Sequence, residues 1–416
     1  MDSQVKNKRS YVILILGLLT AIGPFSIDMY LPAFPDIAKG LDTSVSKVVL
    51  SLSSFFIGIS AGQLIYGPLL ERYGRKKPLY VGMIIYLISS LGCAAAASID
   101  SLIIFRLLQA LGGCAGMVAA RAIVRDLFES KENAKIFSTL MLVVAISPIL
   151  APTTGGYVTA VLGWRYVFIM LLMIGVIILL GIYFLLPESK KPDPSFSLKP
   201  AAIIRNYVDV IRQPQFYTYA LTGAISSAGL YAYISGSPFV FMELFGLTEK
   251  QYGWIFAIIA IGIISASQFN NLALKNNSSE QIIRVATASQ TIIGLLLVIV
   301  SLAGWTNFTL TTFLVFCFLF CQGFIFPNSS ALSLARFAHN AGSASALMGA
   351  IQMGIGACTS GLVGLLHNRT MLPMTGVMAF CALSAATIFF LGRKIITQKA
   401  SLEITEEEDV EMVSTL

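Results

Sequence analysis

The sequence predicts an all-α integral membrane protein with twelve transmembrane helices in two pseudo-symmetric six-helix bundles. Three observations carry that prediction. Of 416 residues, 56% are hydrophobic and only 12% are charged, with a mean hydropathy of +0.79, whereas a soluble domain is about a quarter charged. The apolar residues gather into runs of about 20, the length of helix that crosses a bilayer. One long polar stretch, "PESKKPDPSFSLKPAAIIRNYVDVIRQPQ", divides those runs six and six.

The first run begins at Tyr11 behind a basic leader, "KNKRS". It imitates a secretory signal, but no small-residue cleavage site follows and the run continues to spanning length. It therefore reads as an uncleaved helix over 11–33. The other windows fall at 46–68, 78–97, 102–121, 135–159, 165–186, 216–238, 250–271, 281–303, 308–330, 343–366 and 372–392. They give an amino-terminal bundle over 1–188, a linker over 189–214, a carboxy-terminal bundle over 215–395 and a tail over 396–416. The tail carries "EITEEEDVE" and reads as solvated and disordered.

The net charge of +7 lies in short clusters between apolar runs and forms no patch for nucleic acid. With the amino terminus in the cytoplasm, the inner face collects Lys6, Lys8, Arg9, Arg72, Arg75, Lys76, Lys77, Arg125, Lys131 and Lys135. It also gains the five cations of the central stretch, Arg393, Lys394 and Lys399, whereas the outer face keeps Lys39, Lys47, Arg165, Lys250 and Arg369. The positive-inside rule then places both termini in the cytoplasm. All six cysteines lie in apolar segments. Cys317 and Cys321, one turn apart, lack a third ligand and read as core packing rather than a metal site. No nucleophile elbow, phosphate loop or metal cluster supports an enzyme or calls for a cofactor.

Four stretches carry more than hydropathy. Helix two runs into "GPLLERYGRKKP", where Gly67 and Gly74 permit close approach and positive φ. There Glu71, Arg72 and Arg75 can form a charged latch, holding bundle to bundle, at a cytoplasmic gate that includes Arg125. Helix four holds Arg106 and Gln109 in "FRLLQALGG". Helix five holds Pro148, Pro152, Gly155 and Gly156 in "SPILAPTTGG", prolines that bend it and glycines that let a neighbour close in. Helix one ends in "SIDMYLP". The halves echo one another: "SIDMYLP" lines up with "YISGSP" of helix seven, and "LLQALGG" with "LFCQGF" of helix ten. Asp28 and Arg106 have no charged counterpart in the second half.

Together with "GWR" at 163–165 and "LPES" at 186–189, these stretches resemble the major facilitator superfamily nearly end to end. They are closest to its bicyclomycin-resistance (Bcr/CflA-type) branch of proton-coupled multidrug exporters. Glu71 stands where that family usually has aspartate, Ala110 where the helix-four pattern has glycine, and Ala151 where the helix-five pattern has glycine before proline. The resemblance implies a multi-pass protein of the bacterial inner membrane that exchanges small molecules for protons and acts as a monomer. It leaves the substrate open. An uptake permease, or an exporter dedicated to a nucleoside, amino-acid derivative or siderophore, is the alternative.

An ionised aspartate in hydrocarbon costs roughly 2.5–3.5 kcal/mol on insertion scales, so Asp28 needs a reason. It lies 17 residues past Tyr11, about 25 Å along an outward helix, and Arg106 lies about 7 Å inside the outer end of helix four. The two depths agree within a turn. An acid poised between burial and a neighbouring guanidinium switches with small movements, as a proton carrier must. Asp28 and Arg106 are therefore the expected coupling pair. Tyr30, Gln63, Gln109, Tyr231, Tyr233, Gln322, Phe326, Asn328, Gln352 and Met353 are the candidate substrate contacts, because aromatic, amide and thioether groups suit varied ligands. His339 and His367 lie in loops and are given no coupling role.

Overall fold

The computed structural model describes residues 3–128, 130–305, 307–337 and 341–414. The first crossing is made of two pieces, α1 (Ser3–Asp28) and α2 (Phe34–Gly40), with a 3₁₀ turn at Leu31–Ala33 between them. Then follow α3 (Val45–Tyr73), α4 (Lys76–Ala94), α5 (Ile99–Leu127), α6 (Ser130–Leu162) and α7 (Trp164–Leu185). A short linker helix, α8 (Pro200–Ile211), leads to α9 (Pro214–Pro238), whose last turns widen to π geometry over Phe239–Leu244. The chain closes with α10 (Glu249–Ala273), α11 (Ser279–Leu302), α12 (Phe308–Leu334), α13 (Ala341–Leu365) and α14 (Leu372–Ser414).

Eleven segments are long and apolar enough to cross a membrane, and α9 is the twelfth. Its 25 residues span about 37 Å. Tyrosines, serines and threonines dilute its hydropathy, which it tolerates because nearly every one of its residues is buried among other helices. Twelve crossings put both ends of the chain on one side, called here the terminal face, opposite the far face.

Most helices run past their apolar windows because polar caps finish them. Ser98 with Ser101, Thr248 with Gln251 and Ser278 with Gln281 form capping boxes, and Asn307 accepts from the amides of Thr309 and Leu310. The first crossing reaches Gly40 rather than residue 33, since α2 carries the chain on beyond the break. The acidic tail continues α14 as helix to Ser414 instead of ending disordered; its many glutamates are good helix formers extending an existing helix. The side chains of Lys6, Lys8, Arg9, Lys131, Lys135 and Lys399 lie outside the described residues, as does His339. His367 rests edge-on against the Phe239 ring, 4.3 Å between centroids.

Within the first half α5 is central. It lies so close to α3 that a Cβ on Gly58 would meet the Leu107 carbonyl oxygen at 2.5 Å. The halves meet along two seams. In the α3–α13 seam, Ser53 and Ser235 both bond the Ser360 hydroxyl (2.9 and 2.7 Å), and Ser60 donates to the Ala350 carbonyl (2.8 Å). In the α6–α10 seam backbone meets backbone at the far face. A Cβ on Gly156 would overlap the Glu249 carbonyl, and one on Gly253 would lie 2.9 Å from the Pro152 carbonyl; within the first half, one on Gly155 would overlap the Met29 carbonyl. α6 stays one continuous helix through Pro148 and Pro152.

Candidate functional site

The site is built on the break in the first crossing. Pro32 has no N–H, so the carbonyl of Asp28 loses its helical donor and α1 stops there. The last turn of α1 is capped from the side: Arg106 Nη2 donates to the Ser26 carbonyl at 2.9 Å. A cation at a helix carboxyl end meets both free carbonyls and the negative end of the dipole.

Arg106 is fully buried, and everything that holds it belongs to the first half. Nη1 donates to Gln109 Oε1 (2.7 Å), Gln109 Nε2 donates to Ser90 Oγ (2.8 Å), and Ser90 Oγ donates to the Tyr86 carbonyl (2.7 Å). The Tyr86 hydroxyl shares a 2.8 Å bond with Ser26 Oγ. The guanidinium is sandwiched between the rings of Tyr30 and Phe55, each 4.1 Å from its centre. Its Nε has no partner.

The expected pairing with Asp28 is absent. The two residues share a level, because Ser26 touches Arg106, but they do not share a side. Ser26 turns into the first half; Asp28, two residues on, is about 200° further round the helix. Asp28 is 5% exposed and, among the described residues, makes no ion pair and no hydrogen bond. It lies within electrostatic reach of Tyr231, Tyr233 and Tyr252 of the other half.

Those tyrosines form the facing wall. Tyr231 packs on Phe56 across the seam (4.8 Å), and its hydroxyl donates to Met353 Sδ at 3.7 Å. Tyr233 stacks near Phe256 (5.5 Å) with its buried hydroxyl unpartnered. Tyr252 and Ser237 share a 2.8 Å bond. Of the sequence candidates, Tyr231, Tyr233 and Met353 thus gather around Asp28's side of the seam. Phe56, Tyr252, Phe256 and Ser237 join them without having been singled out, since inside apolar windows they look like packing. Gln63 is pressed against Gly349 of α13 with Oε1 unpartnered. Gln352 is half-buried on α13.

The remaining candidates have other work. Tyr30 covers Arg106. Gln109 and Gln322 occupy matching hubs, one in each half. Gln322 Oε1 accepts from Ser226 and Nε2 donates to Ser227 (both 2.6 Å), with Gln290 Nε2 at 3.4 Å, joining α9, α11 and α12 as Gln109 joins α4 to α5. Asn328 Nδ2 donates to Asn270 Oδ1 (2.6 Å), tying α12 to α10. Ser267 donates to the Gly323 carbonyl (3.3 Å), the acceptor that Pro327 cannot serve. Phe326 is half-buried near Gly223.

At the terminal face the charged latch differs from expectation: among the described residues, the partners of Glu71, Arg72 and Arg75 lie in the first half or the chain leaving it. Arg75 bonds Glu71 (3.0 Å) and Asp126 (2.7 Å), Glu71 also pairs with Lys190, and Ser189 donates to Asp126 (2.9 Å). Glu188 accepts the amides of Arg75 and Lys76, and Arg72 donates to the Phe196 carbonyl (3.0 Å). Gly74 takes φ +81° beneath the Lys190 carbonyl. Gly67 packs against nothing; it opens a cavity of about 170 Å³ that Arg125 and Gly342 also line. α8 roofs this cavity. The Tyr207 hydroxyl donates to the Leu64 carbonyl (3.3 Å), left free by Pro68, while Val210 packs with Ala344 and Leu347 of α13. Asp126 and Lys190 were invisible as partners in the sequence because their pairing is long-range.

The comparisons with known proteins agree with this architecture. The family model described as Major Facilitator Superfamily matches residues 16–361. The MFS-type transporter YdgK of Bacillus subtilis (strain 168) is 33% identical over 92% of this chain and 96% of its own. The bicyclomycin resistance protein homolog of Haemophilus influenzae is 30% identical over 93% and 97%. Among solved structures, a bacterial homolog of the human lysosomal transporter Spinster, inward-facing and occupied, superposes with a TM-score of 0.70 at 14% identity, over 93% of this chain and 97% of that one, a likeness of fold. The chain belongs to the Major Facilitator Superfamily. It is a multi-pass membrane transporter and not an enzyme.

Proposed function

We propose that the chain exports small amphipathic molecules, drugs among them, across the bacterial inner membrane in exchange for protons, with Asp28 as the proton carrier. One observation supports this most: a buried carboxylate with no partner in its own half faces the tyrosine wall of the other. Such a charge is costly unless something meets it, and between two halves that can be a proton or the ligand's own cation. Arg106 is a positioning residue, fixing the last turn of α1 and so the direction of Asp28. The drug-resistance names of relatives favour export: a chloramphenicol resistance protein of Pseudomonas aeruginosa and the multidrug resistance protein MdtL of Klebsiella pneumoniae align over nearly the whole chain. Loop charge supports a cytoplasmic position for both termini. Asp28 and the tyrosines near it come from one chain, so a monomer suffices.

Exchange of one proton for a neutral solute moves net charge inward and gains about 2.3 kcal/mol per 100 mV. Exchange for a monocation is electroneutral and draws on the pH gradient alone. Inverted vesicles acidified inside test the direction. They accumulate the transported compound if the chain is an exporter and lose it if it is a symporter, and Asp28→Asn abolishes the response to acidification in either case.

A further inference from the structure

An open groove of about 550 Å³ lies between α10, α11 and α12, at their terminal-face end. It exists because small side chains, Ala286 and Cys321, floor it, while Phe320 and Phe324, rings 5.6 Å apart, stand beside them. Val285, on its lip, is 64% exposed, so the groove faces lipid rather than the seam between the halves. Its apolar part begins near mid-helix on α12, and its mouth reaches the turn after α10, where Asn277 and Arg284 are polar lining.

Arg284 is the telling residue. The acid one turn before it, Glu280, is its natural i,i+4 partner. Glu280 is already engaged, by Arg393 at 3.2 Å and by the Tyr219 hydroxyl. Arg284 therefore has no anion among the described residues. A guanidinium at the membrane border above an apolar trough suits one occupant: phosphate matches its planar donors, and an acyl chain matches the trough.

We propose that this groove binds an anionic phospholipid of the leaflet on the terminal side, phosphate at Arg284 and an acyl chain along Phe320 and Phe324. Basic pockets between membrane helices on the cytoplasmic side recognise such headgroups, and the orientation proposed above puts the terminal face there. The test uses the purified, delipidated full chain titrated with phosphatidylglycerol or phosphatidylcholine, bound lipid being counted by native mass spectrometry. Wild type retains phosphatidylglycerol in preference. Arg284→Gln weakens phosphatidylglycerol about fivefold, as loss of one cation near an anionic surface does, and leaves phosphatidylcholine unchanged. Ser289→Phe, which fills the trough without altering charge, reduces retention of both. Equal retention of the two lipids by wild type overturns the assignment, as does undiminished phosphatidylglycerol binding in Arg284→Gln. Displacement of the bound lipid by a transported amphiphile instead makes the groove a substrate path and also overturns it.

Discussion

Replacing Gly156 by alanine should hold the far face open. The new Cβ falls on the Glu249 carbonyl oxygen, a backbone atom of the other half, so no side chain can swing aside. α6 must draw back from α10 by on the order of 1 Å, and overpacking of this kind costs about 1–3 kcal/mol. Only the state in which the far face is closed bears that cost, so its population should fall about 5- to 150-fold relative to the other. Gly253→Ala, at 2.9 Å from the Pro152 carbonyl, strains the same seam less, and Gly155→Ala meets the Met29 carbonyl within the first half and so strains both states alike. Spin labels at Asp42 and Glu243, both exposed on the far face, report the separation by pulsed electron resonance while transport is measured on the same proteins. The expected order of lengthening is Gly156→Ala, then Gly253→Ala, with Gly155→Ala changing the distance least. An unchanged distance with normal transport in Gly156→Ala refutes the reasoning.

Three further outcomes follow from the same contacts. Arg106→Lys keeps the charge but loses the stacked, forked geometry, leaving a buried acceptor at Ser26 or Gln109 unserved at about 1–3 kcal/mol; thermal unfolding in detergent should show it, and an unchanged midpoint counts against the cap. Gln322→Ala removes three side-chain hydrogen bonds in the second half and leaves Ser227 without its partner; hydrogen exchange should rise in α9, α11 and α12 but not in α1, α4 and α5, and Gln109→Ala should give the reverse. Tyr207→Phe removes one bond worth about 0.5–1.5 kcal/mol, so limited proteolysis should cut α8 faster while the bundles stay intact; equal cutting would mean that α8 does not rest on Leu64.

Much of this was legible in the sequence, for identifiable reasons. Eleven crossings follow from run length and hydropathy, and α9, diluted by tyrosines, serines and threonines, makes the twelfth by length, because every backbone bond in lipid must be made within its own helix. Helix ends were not, since capping by Ser98 or Thr248 extends a helix beyond its apolar window. The common level of Asp28 and Arg106 came from a fixed rise per residue. The side each one faces did not, because it depends on where α1 stops turning, and Pro32 with the 3₁₀ turn decides that. The echo between "LLQALGG" and "LFCQGF" marked equivalent places correctly. Their glutamines face serines of neighbouring helices rather than a ligand, since an amide inside a bundle bonds what lies nearest. The terminal-face latch misled in a similar way: Glu71 and Arg75 were visible as a pair, but Asp126 and Lys190, distant in sequence, take the contacts that were expected from the other bundle.

The most direct test reads protons. Detergent-solubilised wild-type protein in weakly buffered solution, given each of a panel of amphipathic cations and neutral compounds, should release protons when a transported compound binds. Asp28→Asn should release none while still unfolding at the wild-type temperature. Wild-type proton release from Asp28→Asn, or full proton-driven transport by both Asp28→Asn and Asp28→Ala, would contradict the account.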